Sequence, residues 1–182
     1  MPENLKVVFI EDEKIFIDAY QDMSTEMKLF RFSDPEIVHD KASASEAIDG
    51  WINNPGTVPS LLFLDLILPK TLKYHNKIQE EQQKNKTKIS LTDNRMDTMG
   101  GIELFRKIRG YDSNMVAKPT RHPEPLTQLP IIILTANYRL APSIRANMLD
   151  DEFLLWIDKP FIPEDVAGIV DEFMKDSRDK VK

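Results

Sequence analysis

Asp65 sits inside LLFLDLILP, a run apolar enough to be buried. An isolated ionised carboxylate in a low-dielectric interior is expensive, so this residue must be neutralised, paired or placed where its strand leaves the core. Four other polar residues stand in the same relation to an apolar run: Glu11 and Asp12 after LKVVFI, Thr135 ending PIIILT, and Lys159 just after FLLWI. If these runs are parallel strands, all five residues gather at the carboxyl edge of one sheet, where α/β proteins hold their ligands. Two carboxylates about 5 Å apart repel by roughly 3 kcal/mol at an effective dielectric of about 20, so three together need a cation. Oxygen ligands with neither His nor Cys beside them favour Mg²⁺ or Mn²⁺ over zinc. Lys159 adds positive charge and Thr135 a hydrogen-bond donor, both suited to an anionic phosphoryl group. A carboxylate such as Asp65 can itself be the nucleophile that forms an aspartyl-phosphate.

The elements that must position these residues are legible as alternating patterns. The runs at 5–10, 61–66, 130–135 and 153–157 are apolar without alternation, as expected of strands covered on both faces. A weaker strand is expected at 36–42, after the turn signal Asp34-Pro35. Helical spacing recurs between them. Phe16, Ala19, Tyr20, Met23 and Met27 share one face over 13–28, and Ala47, Ile48, Trp51 and Ile52 share one after a candidate N-cap at Ser45. Helices are also expected over 101–109, 140–149 and 163–175. Strand and helix thus alternate five times, the order of a doubly wound sheet with helices on both faces.

Composition fits this picture. The chain has 182 residues, suited to one domain, and 41% hydrophobic residues, enough for a proper core. It has no Cys, which excludes disulfides, thiolate metal sites and Cys nucleophiles. No signal peptide and no membrane span are expected, so the reading is a soluble, cytoplasmic protein. The net charge of −6 argues against sequence-independent nucleic-acid binding.

Taken in order, VVFIEDE, LLFLDLILP, MGGIEL, PIIILTA and DKPF resemble the receiver domains of two-component response regulators, in particular the chemotaxis-type single-domain regulators. The resemblance spans nearly the whole chain. It implies a flavodoxin-like (βα)5 fold with a five-stranded parallel sheet, and Asp65 as phosphoacceptor. It further implies Mg²⁺ held by Glu11, Asp12, Asp65 and the backbone carbonyl of Ile67, and a phosphoryl group met by Thr135, Lys159 and the backbone of Ala136. Trp156 falls where the family has an aromatic that turns inward on activation. The implied partners are a sensor histidine kinase or histidine phosphotransfer protein upstream and a protein contacted through about 140–174 downstream, with homodimerisation possible. No output domain is expected after the fifth helix, and no catalysis beyond the protein's own phosphorylation and dephosphorylation. Two rivals stand beside this reading: a pseudo-receiver that binds without being phosphorylated, and a Mg²⁺-dependent phosphohydrolase. The latter usually needs an acid two residues after the nucleophile, where this chain has Ile67.

Two stretches depart from a compact alternation. Residues 70–98, directly after Pro69, are polar and carry a net +3 against −9 for the rest of the chain. They are expected to be a solvated excursion, with a helix over 75–86 conceivable but supported by Ile78 alone. Residues 111–128 contain Pro119, Pro123 and Pro125 and are expected to form a long loop. His39, His75 and His122 show no metal-like spacing and are expected to be incidental. Gly100 replaces an acidic residue usual in the family.

Overall fold

The computed structural model describes residues 3–85, 93–111, 122–136, 148 and 151–181. Its centre is a parallel sheet of β1 (Glu3–Ile10), β2 (Phe30–Val38), β3 (Leu61–Asp65), β6 (Ile131–Thr135) and β7 (Leu154–Asp158), in the order β2-β1-β3-β6-β7. β3 and β6 are buried at every residue, as their unbroken apolar runs require of strands covered on both faces. On one face α1 (Lys14–Glu26) and α6 (Pro163–Lys180) cover Phe9, Phe63, Ile132 and Leu134. There Tyr20 stacks between Phe63 and Phe161, with ring centroids 5.0 and 5.4 Å away. On the other face α2 (Lys41–Asn53) and α4 (Gly100–Arg109) cover Val8, Ile10, Leu62, Leu64 and Ile133. The fold is the doubly wound five-stranded sheet expected from the sequence.

Several boundaries differ from expectation, each for a local reason. β2 does not begin after the Asp34-Pro35 turn signal but runs through it. The register with β1 shifts between Lys6 and Val8, so two residues of β2, Asp34 and Pro35, stand opposite Val7. This bulge lies on an edge strand, where a proline leaves no ladder bond unmade. α2 is capped by Asp40, not Ser45: the Asp40 carboxylate accepts from Ser43 N–H at 3.0 Å and from Ser43 Oγ at 2.7 Å. Ser45 lies inside the helix, and its Oγ accepts from Lys107 Nζ at 2.6 Å. α4 ends at Gly110, whose φ of 72° is the left-handed C-cap conformation that favours glycine. α6 continues to Lys180, past the expected end at 175.

In the excursion at 70–98, residues 86–92 lie outside the described residues, and the rest has its own structure. A short antiparallel pair, β4 (Leu68–Pro69) and β5 (Met96–Asp97), closes its base, and α3 (Leu72–Asn85) rises from it. Arg95 ties the helix down, meeting both Glu81 oxygens at 3.0 and 2.9 Å while also gripping Asp93. Most of the long loop expected at 111–128, residues 112–121, lies outside the described residues, and the remainder includes a short helix, α5 (Glu124–Thr127). Arg109, just before it, is buried and donates to the carbonyls of Leu126, Leu129 and Phe153 and to the Asp151 carboxylate. The helix expected over 140–149 lies outside the described residues apart from Met148, which is buried. No helix among the described residues is long and apolar enough to cross a membrane.

Candidate functional site

The parallel registers carry the five polar residues to one edge. Glu11 and Asp12 follow β1, Asp65 closes β3 opposite Leu134, Thr135 closes β6, and Lys159 follows β7 with its N–H donating to the Thr135 carbonyl at 2.9 Å. Because β3 lies between β1 and β6, Asp65 sits in the middle of the group. The carboxylates of Glu11, Asp12 and Asp65 each place an oxygen within 4.8 Å of the others. Lys159 Nζ bridges two of them, 2.5 Å from Glu11 Oε2 and 2.9 Å from Asp65 Oδ2. Its ammonium also lies 4.1 Å from the centre of the Phe16 ring.

All of these groups are buried: Glu11 is 0% exposed, Lys159 2%, Asp65 7% and Asp12 8%. Glu11 gains two further donors, Tyr20 Oη at 3.2 Å and the Glu13 N–H at 3.1 Å. They do not offset its surroundings. Burial, and then the charge of Asp65, hold the Glu11 carboxyl well above the usual carboxylate range against the pull of Lys159. The same two causes push Asp12 up to about 7. Burial disfavours the Lys159 ammonium, but the charges of Asp65 and Glu11 outweigh it, and its pKa is raised. One ammonium therefore does not satisfy three carboxylates, and the donor set is all oxygen. It fits a hard divalent cation such as Mg²⁺.

The turn leaving Asp65 is built as tightly as the strand before it. The Ile67 N–H donates to Asp65 Oδ1 at 3.3 Å, and the Gly101 N–H donates to the Leu66 carbonyl at 3.1 Å. A Cβ on Gly101 would lie 2.1 Å from the Asp65 carbonyl oxygen, so only glycine lets α4 approach the Asp65 backbone this closely. The sequence offered the glycine pair in MGGIEL as a signal without showing which of the two mattered. At Gly100 a Cβ would meet only ordinary contacts, the nearest 3.4 Å away.

The remaining expected residues fall around this group. Thr135 is buried, and Ala136 is exposed just beyond it. Trp156 pairs with Ile133 in register, half-buried against the α2 and α4 face. Two of the three histidines expected to be incidental, His39 and His75, have specific contacts. His39 Nδ1 lies 3.1 Å from the Glu11 carbonyl oxygen, and its ring stacks on His75 of α3 with centroids 4.7 Å apart. The two are far apart in sequence, and only the insertion's fold brings them together.

Solved structures with similar folds include a bacteriophytochrome response regulator, at a TM-score of 0.53 and 16% identity over 97% of this chain and 94% of that one. The chain has the receiver-domain fold. The receiver domain of a sensor histidine kinase from Pseudomonas aeruginosa matches at a TM-score of 0.51 and 16% identity, covering 96% of this chain and 99% of that one, and has a magnesium ion coordinated in its active-site cleft. The receiver domain of NtrX from Brucella abortus matches at a TM-score of 0.51 and 15% identity, covering 93% and 98% of the two chains. No family model and no curated protein matches the sequence. In the receiver fold of this chain the polar residues read from the sequence share the carboxyl edge, and the insertion stands beside them.

Proposed function

We propose that this protein is a response-regulator receiver that accepts a phosphoryl group on Asp65 from a sensor histidine kinase or a histidine phosphotransfer protein. One observation carries the reading: a strand-end carboxylate in the middle of an acidic triad, with a buried lysine ammonium 2.9 Å from its Oδ2. In the reaction an Asp65 carboxylate oxygen forms the bond to phosphorus as the P–N bond of a phosphohistidine breaks, and the ring, already protonated on its other nitrogen, leaves as neutral imidazole. Such a transfer chiefly demands positioning and neutralisation of charge on the phosphoryl oxygens. Mg²⁺ is the expected cofactor, held by Glu11, Asp12, Asp65 and the Ile67 carbonyl, and when bound it supplies part of that neutralisation.

The chain's own residues do the rest. Lys159 is already at the oxygen side of Asp65, with its Glu11 contact keeping the ammonium extended toward the site. Thr135 and the backbone of Ala136 are assigned to the phosphoryl group, and Trp156, on the strand next to Thr135, to the aromatic that answers it. Phosphorylation then alters a surface over about 140–174, through which the protein contacts a downstream partner in the cytoplasm or a second copy of itself. The protein acts as a switch and not as a turnover enzyme. Ile67 offers no acid to protonate a leaving group, which removes support from a phosphohydrolase.

The test is incubation with Mg²⁺ and acetyl phosphate, followed by intact mass. One phosphoryl group per chain is expected, lost on chelation of the metal and absent in Asp65→Asn. Labelling that persists in Asp65→Asn overturns the assignment. Binding of Mg²⁺ without labelling marks a pseudo-receiver, and multiple turnover of a phosphomonoester marks a hydrolase.

A further inference from the structure

The insertion reaches the peptide groups of the acidic pair by two routes. Gln79, on α3, donates from Nε2 to the Asp12 carbonyl oxygen at 3.4 Å. His39 lies 3.1 Å from the Glu11 carbonyl oxygen through Nδ1. A carbonyl only accepts, so Nδ1 carries a proton and the ring's orientation is set by this bond. His75 of α3 lies over that ring with the planes at 17°, is 8% exposed, and has an Nδ1 that is buried with no hydrogen-bond partner among the described residues. Two nearly parallel rings aim their in-plane nitrogen lone pairs side by side and not at a common point, so the pair is a stacking contact and not a metal site. Ile78, 2% exposed, anchors the same face of the helix. The carbonyls of two consecutive triad residues are thus held directly or indirectly by one helix.

We infer that α3 positions Glu11 and Asp12 through their backbone, with His75 and Gln79 as positioning residues, so that docking of α3 and binding of the cation at the triad favour each other. The inference rests on the triad being a Mg²⁺ site. Its energetic content is a coupling, which by linkage acts equally in both directions: a docked helix tightens the metal site, and the bound metal holds the helix down.

The experiment is calorimetric titration of the full chain with MgCl₂, paired with hydrogen exchange of the amides at 72–85 with and without the metal. His75→Ala combined with Gln79→Ala is expected to weaken Mg²⁺ binding about tenfold, the scale of lost outer contacts to ligating residues. His75→Phe, which keeps a flat ring over His39, is expected to bind as the wild type does. Mg²⁺ is expected to slow exchange across 72–85 in the wild type and not in the double variant. If the double variant loses its fold, Gln79→Ala alone, at a partly exposed position, gives the same comparison with a smaller effect. Equal affinities in the wild type and the alanine variants, or exchange at 72–85 indifferent to Mg²⁺, overturn this inference and leave the metal site standing. Absence of Mg²⁺ binding in the wild type overturns both.

Discussion

The acidic edge and the insertion meet at the backbone of Glu11 and Asp12, yet they are held together in opposite ways. At the edge the ion pairs join residues distant in sequence, Lys159 to Glu11 and to Asp65, and each side chain follows or ends a strand buried in the core. Above the base of the insertion, among the described residues, the ionic contacts are internal to it: Arg95 to Asp93 and Glu81, over a ladder of two residue pairs whose Asp97 pairs with Lys41. Among its described residues the buried side chains are His75 and Ile78. A buried ion pair costs much when one partner is removed, whereas exposed pairs contribute little. Changes at the edge should therefore register in folding and chemistry together, and changes in the insertion should leave folding nearly untouched.

The largest effect that would break this contrast is expected from Lys159→Met. Removing the ammonium leaves Glu11 and Asp65 buried without it, at a cost of about 3–5 kcal/mol when both are ionised. The loss depends on pH, and its sign follows from proton binding. Asp12 has an ordinary value of 3.8 in the unfolded chain and about 7 in the folded one, and Glu11 is raised as well, so between these limits the folded state binds more protons. Stability of the metal-free protein then falls as pH rises through about 7. Without Lys159 the fall should be steeper, giving a variant close to wild type at acid pH and much weaker at alkaline pH, with part of the difference restored by Mg²⁺. Urea unfolding at both pH values, with chelator and with Mg²⁺, measures this. A loss independent of pH would make Lys159 a packing residue only.

Gly101→Ala should have a smaller but still global effect. The added Cβ meets the Asp65 carbonyl at a distance that side chains do not tolerate, so α4 must back away from the β3 turn. Overpacking of this kind costs about 1–3 kcal/mol. It should also weaken Mg²⁺ binding, because the displaced peptide belongs to the triad's central residue. Gly100→Ala, with only ordinary contacts around the new carbon, is the control. Equal behaviour of the two variants would show that α4 does not brace Asp65.

The contrast also explains what could be read from the sequence. β3 and β6 announce themselves because Leu61–Asp65 and Ile131–Thr135 are buried at every position, and two-sided burial leaves an unbroken apolar run. Their ends then located Asp65 and Thr135 without further information. β2 was displaced because Pro35 looks like a boundary, and nothing local says that an edge strand absorbs it in a bulge. α3 was legible only as a possibility, since its one strongly apolar anchor, Ile78, gives a periodicity too sparse to define a face. The His39–His75 stack was not legible at all: it depends on how the insertion docks, a property of tertiary packing and not of spacing. Gly101 was visible as a glycine and invisible as a contact.

The smallest effect on folding is expected from deleting the insertion. β4 and β5 pair antiparallel, with Pro69 opposite Met96 and Leu68 opposite Asp97, so Asn-Gly can join residue 69 to residue 96 as a two-residue hairpin turn. The splice keeps Asp97, whose carboxylate accepts from Lys41 Nζ at 2.7 Å and from the Met99 N–H at 3.0 Å, and so keeps the approach to α4. What is lost is the Arg95 cluster, the burial of Ile78 and the plate over His39. If the insertion is an accessory, the shortened chain should unfold in one cooperative step with stability within about 1 kcal/mol of the wild type, the range of surface changes. Asp65 should still take a phosphoryl group, while Mg²⁺ binding should weaken as expected for His75→Ala combined with Gln79→Ala. Loss of cooperative unfolding would place α3 within the core of the fold, and the division between a core-built edge and a locally built insertion would have to be abandoned.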